Sequence, residues 1–189
     1  MTTQRWPGAW LMTDERMGEK LWPAIECAGD ASAGIILRHH ATEPQRRRVI
    51  GSKIADLAHK RGLTLGVARD AALARELGAR LVHNPDGPSL GLPFSRAVHD
   101  EAEALAAAAE GAALVFVSPV YATRSHSEAV PLGEKEAARL AGIAGAPAYA
   151  LGGIDSRDWR RLRKLKALGF SGWAGIDAWI ALAKGRFRL

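Results

Sequence analysis

Short aliphatic runs recur along this chain, each followed by a polar turn and then a longer stretch rich in Ala, Leu, Glu and Arg. Runs near 34–38, 113–117 and 147–151 are too short for buried helices and read as buried strands. The same reading takes in 9–13, 63–67, 79–83, 94–98 and 171–176. Between them, helical composition and period predict helices near 17–28, 43–61, 69–78, 100–110, 134–143, 156–168 and 177–184. The stretch 84–93, Asn-Pro-Asp-Gly-Pro-Ser-Leu-Gly-Leu-Pro, holds too much Pro and Gly for a regular helix. Alternating strands and helices predict a parallel sheet with helices on its faces. Eight units predict an α/β fold closed into a compact (β/α)8 TIM barrel, smaller than the usual ~250 residues. An open doubly wound sheet is the alternative, because periodicity does not show closure. With no linker and no break in composition, residues 1–189 read as a single domain.

Two helices carry explicit punctuation. For 156–168, Asp155 or Ser156 is the expected cap. Trp159, Leu162, Leu165 and Leu168 then fall every third position and are expected to form one apolar stripe, with Gly169 as the stop. Glu101–Glu110 is Ala-rich and meets its stop at Gly111.

Composition narrows the classes. Apolar residues make up 48% of the chain, which suits a globular core. No apolar run approaches the roughly 20 residues of a membrane-spanning helix, and residues 1–5 lack the apolar run of a signal peptide. A cytoplasmic protein without a membrane partner is therefore expected. Cys27 is the sole cysteine and is expected to be buried filler in a helix. The net charge of +6 concentrates in Arg46-Arg47-Arg48 and in 157–188. That balance suits an anionic partner or plain solubility. Nucleic acid is not the expected partner, since no helix-turn-helix, zinc module or RNP-like aromatic motif accompanies the charge.

The chemistry-bearing residues gather where strands end. Phe116-Val117-Ser118-Pro119-Val120-Tyr121-Ala122-Thr123-Arg124-Ser125-His126, followed by Pro131-Leu132-Gly133, turns a buried strand into a loop of hydroxyls, a cation and an imidazole. Further on, Ala148-Tyr149-Ala150-Leu151-Gly152-Gly153-Ile154-Asp155 ends a second strand in a Gly-Gly turn. Such turns suit phosphate groups in β/α proteins. At these residues the chain resembles the thiamine-phosphate synthase/TenI family, as a divergent member. The opening strand Ala9–Asp14, the strand Ile36-Leu37-Arg38, and the ends Val82-His83 and Val98-His99 extend the likeness. It is specific from about Ala97 to Ile154.

The resemblance implies a (β/α)8 barrel that couples an aminopyrimidine pyrophosphate to a thiazole phosphate in thiamine biosynthesis. It implies Arg38, Thr123, Ser125 and His126 at the reacting end. Gly152, Gly153, Gly175 and Ile176 would hold the phosphate, with His83 and His99 as further ligand contacts. The expected partner is a small phosphorylated heterocycle. No cofactor is expected outright, and Mg²⁺ only if the synthase reaction is retained, because the family's Asn-Asp pair falls at Gly66-Val67. No metal-ligating residue is therefore assigned. Asp177 stands where the family has Ser. Two alternatives remain at this stage: a TenI-like thiazole tautomerase, in which His126, His83 or His99 would replace the family histidine that is Pro119 here, and a non-catalytic phosphate-binding barrel. A homo-oligomer is also left open, with Trp179 or Phe187 in the contact.

Overall fold

The computed structural model describes residues 5–123 and 128–186. Eight parallel strands close on themselves in chain order: β1 Ala9–Met12, β2 Gly34–Leu37, β3 Leu65–Ala68, β4 Leu81–His83, β5 Phe94–Val98, β6 Leu114–Val117, β7 Ala148–Leu151 and β8 Gly172–Gly175. A six-residue 3-10 segment, Glu15–Lys20, leads into α1, Leu21–Asp30. The remaining helices are α2 Pro44–Arg61, α3 Ala71–Glu76, α4 Glu101–Ala109, α5 Gly133–Ala144, α6 Trp159–Ala167 and α7 Asp177–Arg186. The β4–β5 connection, rich in Pro and Gly, holds no helix, as its composition predicts.

Strand alternation sorts the core into two layers. Phe116 meets Trp10 edge-on at 5.8 Å and Tyr149 at 5.7 Å, and Tyr149 meets Trp10 edge-on at 6.0 Å. These three rings, all but inaccessible, fill the barrel interior. Their alternates Val115, Val117, Ala148 and Ala150 pack outward against Ala104, Ala107, Ala137 and Leu140 of α4 and α5. Small residues on neighbouring strands make room for the large ones. Trp10 lies level with Gly34, where a Cβ would overlap the indole ring, and a Cβ on Gly66 would crowd Ile36 Cδ1. Large beside small is how a narrow barrel packs without voids.

Helix starts follow side-chain caps. Asp70 accepts from the Leu73 amide and Asp100 from the Glu103 amide. Gly111 (φ +71°) and Gly169 (φ +95°) follow α4 and α6 in left-handed conformations, as expected of stops. For α6 the sequence expectation needs correcting. The helix starts at Trp159, and its cap is Asp158, which accepts from the Arg161 amide at 3.1 Å. The expected stripe also breaks up: Leu165 is buried, but Trp159 is 60% exposed and Leu168 36%. Steps of three residues turn about 300° on a helix, so three such steps carry the last side chain to the face opposite the first. Trp179, a candidate for a subunit contact, is core instead: it stacks on Trp173 at 5.0 Å and donates Nε1–H to the Trp10 carbonyl at 2.9 Å. Phe187 lies outside the described residues. Cys27 is buried in α1, as expected. No helix among the described residues is long and apolar enough to cross a membrane.

Candidate functional site

The carboxyl ends of β1, β2, β6, β7 and β8 surround a cavity of about 300 Å³. In a β/α barrel this rim is where ligands bind, because the loops there can vary without disturbing the packed interior. One side is built from turns. Gly152, Gly153 and Ile154 follow β7, and Gly175, Ile176, Asp177 and Ala178 run from β8 into α7. The first amides of α7 have no intrahelical acceptor and sit at the positive end of its dipole. The Ile176 carbonyl accepts from the Trp179 and Ile180 amides and so closes the first turn. Ser118, Pro119, Ala122 and Thr123 of the β6 loop form the cavity's flank.

The opposite side is cationic. Arg38 follows β2 and Arg16 lies in the 3-10 segment after β1; both line the cavity. Arg16 Nε donates to Asp14 Oδ1 at 2.9 Å, and Asp14 also accepts from the Arg16 amide, so this carboxylate is held at the end of β1. The Arg38 amide donates to Thr13 Oγ1, but among the described residues its guanidinium has neither a hydrogen bond nor an ion pair. Burial holds the Arg38 pKa below the usual arginine value; Asp14 opposes that shift and Arg16 adds to it. A desolvated guanidinium without a counter-charge is costly to the empty protein and favours an incoming anion.

His99 also lines the cavity. Glu103 Oε2 accepts from its backbone amide and contacts its Nδ1, both at 2.7 Å. A carboxylate at Nδ1 favours the tautomer that leaves Nε2 free to accept a proton. His83 is placed differently. It is buried at the end of β4, with Nδ1 3.0 Å from Ser95 Oγ and its ring edge-on to Phe116 at 5.3 Å. Burial pushes its pKa down to about 3, with the positive field of Arg38 contributing, so the ring is neutral. It lies outside the cavity lining. His39 is buried, with Nδ1 2.9 Å from Thr13 Oγ1, whereas His40 is exposed.

The predicted residues therefore divide three ways. Arg38, Thr123, His99, Gly152, Gly153, Gly175 and Ile176 line one cavity, and His83 sits in the packed interior. Ser125 and His126 lie outside the described residues. Gly152 and Gly153 also serve the path of the backbone. Both have positive φ, and a Cβ on Gly152 would stand 2.8 Å from the Pro119 Cα, while one on Gly153 would stand 2.7 Å from the Tyr121 Cβ. The missing Cβ atoms let the β6 loop close over the β7 turn. The next helix starts only at Trp159, so its dipole does not begin at Ser156 as expected. Tyr121 braces the loop: it donates to Glu134 Oε1 at 2.8 Å, Arg161 stacks on its ring at 4.7 Å, and Lys164 pairs with Glu134. Arg16 was not singled out in the sequence. Extending the inventory of strand ends two residues past Asp14 would have found it.

The donor set does not fit Mg²⁺ among the described residues. The cation needs oxygen ligands, and Gly66 and Val67 offer no side-chain oxygen. Near the family's metal position the carboxylates have other engagements: Asp14 with Arg16, Glu15 with the Ala41 and Thr42 amides, Asp70 as the α3 cap, and Asp86 with Arg69; Asp177 stands across the cavity, in the first turn of α7. No group of three or more His, Cys, Asp or Glu that could hold a metal occurs among the described residues.

An eight-stranded parallel barrel with a cavity on its carboxyl rim defines the (β/α)8-barrel class of proteins. Within that class, residues 93–178 match the family model described as thiamine monophosphate synthase. A 71-residue stretch is 37% identical to "Putative thiamine-phosphate synthase 2" of Aquifex aeolicus (strain VF5); it spans 38% of this chain and 37% of that relative. Among solved structures, a thiamine phosphate pyrophosphorylase from Pyrococcus furiosus superposes with a TM-score of 0.78 at 20% identity, covering 96% of this chain and 94% of that one. An HpcH/HpaI aldolase from Desulfitobacterium hafniense superposes at 0.60 with 12% identity, covering 96% and 91%. At such identities these superpositions speak for the barrel alone. Residues 93–178 of this chain are thus similar in sequence to thiamine-phosphate synthase proteins, over somewhat less than half of its length.

Proposed function

We propose that this chain is a thiamine-phosphate synthase-like transferase, which joins an aminopyrimidine carried on a pyrophosphate to a thiazole phosphate. The observation that carries the reading is Arg38, whose guanidinium faces the cavity with no hydrogen bond or ion pair among the described residues. In this reading the thiazole phosphate docks against the first turn of α7 and the Gly152-Gly153 turn, where backbone amides and the helix dipole favour an anion. Arg38 holds the pyrophosphate of the second substrate by charge-assisted hydrogen bonds. The bond from the pyrimidine methylene carbon to the pyrophosphate oxygen breaks, and its electron pair leaves with pyrophosphate. The thiazole nitrogen then donates its lone pair to that carbon, forming the C–N bond. The chain's part is to place the two reactants and to stabilise the departing charge. The family match and the position of the cavity support the reading.

Calorimetric titration with hydroxyethylthiazole phosphate, followed by aminopyrimidine pyrophosphate, tests it. Mass spectrometry should find thiamine phosphate in the cell. If thiazole phosphate fails to bind, or both ligands bind with no product, the transferase reading is lost. One observation favours a second reading. The His99–Glu103 pair presents a base to the cavity, as proton transfer on a phosphorylated thiazole would require. Isomerisation of a thiazole carboxylate phosphate that depends on His99 would mark that activity.

A further inference from the structure

The cavity has two poles, and the cationic one departs from the metal site that the family resemblance implies. Arg16 and Arg38 come from separate strand ends, β1 and β2, yet line the same cavity. Arg16 commits its Nε to Asp14, which leaves its two terminal amino groups for a ligand. Arg38 commits no side-chain nitrogen to any described residue. Asp14 is bonded to Arg16, and Glu15 accepts from the Ala41 and Thr42 amides; the charges of both reach Arg38 without a contact. Arg16 is paired with Asp14, whereas Arg38 has no ion pair among the described residues and turns its charge to the cavity. The charge of Arg16 adds to burial in lowering the pKa of Arg38. Asp177 stands at the far pole, in the first turn of α7.

From this geometry we propose that Arg16 and Arg38 form a metal-independent clamp for a diphosphate group, doing with two guanidinium forks what a divalent cation would otherwise do. The inference rests on the transferase reading for its choice of ligand, although the clamp is a binding claim of its own. Paired planar forks suit the clamp because each can give two parallel N–H donors to phosphate oxygens, whereas a lysine offers a point charge. The carboxylates that could have anchored a cation here are tied to Arg16, to backbone amides and to Arg69.

The probe is inorganic pyrophosphate, titrated into the full chain by calorimetry in EDTA and again in excess Mg²⁺. Binding in EDTA should be as tight as in Mg²⁺ or tighter, because the metal competes for the same oxygens. Arg16→Met and Arg38→Met should each weaken pyrophosphate binding about tenfold or more, the loss of a charge-assisted pair. Arg16→Lys should recover only part of the loss. Hydroxyethylthiazole phosphate, bound at the far pole, should keep its affinity in Arg16→Met within about threefold; unchanged thermal unfolding would show the variant folded. Pyrophosphate binding that appears only with Mg²⁺ overturns the proposal. So does an Arg16→Met variant that binds pyrophosphate as the parent does, or one that loses both ligands together. If thiazole phosphate binds and pyrophosphate does not, the clamp fails while the phosphate pole stands. If pyrophosphate binds as described without turnover, the clamp stands and the transferase reading fails.

Discussion

Arg38 and His83 show how single side chains carry opposite compromises. A half-buried guanidinium with no counter-ion among the described residues weakens the empty protein, so Arg38→Met should raise the ligand-free melting temperature by about 2–6 °C. The same variant should bind pyrophosphate about tenfold more weakly or worse. Calorimetric melting and titration would check both; a fall in melting temperature would mean that Arg38 serves the fold. His83 is held neutral, with a pKa near 3 in the folded chain. As pH drops below about 6.5 the unfolded chain takes up the proton first, so stability present above that pH is lost on acidification. Between pH 6.5 and 5, before most carboxylates titrate, the loss should be roughly 2 kcal/mol. Urea midpoints over that range should slope in the parent and flatten in His83→Gln. Equal slopes would show that His83 is not the group responsible.

At the level of elements, helix α6 separates composition from geometry. Its existence was plain from its sequence, but its start was not. Asp155, Ser156 and Asp158 can all cap a helix, and only the path of the chain after the Gly-Gly turn selects Asp158. Asp155 is instead locked to Arg157, which holds its pKa down to about 2. Accordingly, Asp158→Ala should cost about 1 kcal/mol of unfolding free energy and Ser156→Ala almost nothing; chemical denaturation distinguishes them. Strand β2 makes a different point. Gly34 looks like a weak position in a strand until the register brings it level with Trp10. Gly34→Ala should destabilise by about 1–3 kcal/mol through overpacking, and Trp10→Phe in the same chain should recover part of it. Such complementarity between neighbouring strands depends on closure and register, which periodicity does not encode. The strands themselves could be read to within two residues, because most are short apolar runs bounded by polar turns; β5, with Ser95 and Arg96, is the exception.

For the whole molecule, the legible part of the site is the part built from loops that directly follow strands. The Gly152-Gly153 turn and the Gly175-Ile176 turn both reach the cavity as expected. Arg16 escaped notice because a 3-10 turn, rather than a strand end, brings it there. His83 has a strand-end address yet points into the interior, since strand alternation and barrel closure, not sequence position, decide which way a side chain faces. The ring cluster of Trp10, Phe116 and Tyr149 has one more consequence. It fills the barrel interior beneath the rim, so ligands enter and leave the cavity from the carboxyl end of the strands. In the proposed reaction the joined product is larger than either reactant and must leave by the way they came. Release, rather than bond making, is then expected to set the pace, and a burst of product in the first turnover would reveal the queue at the door.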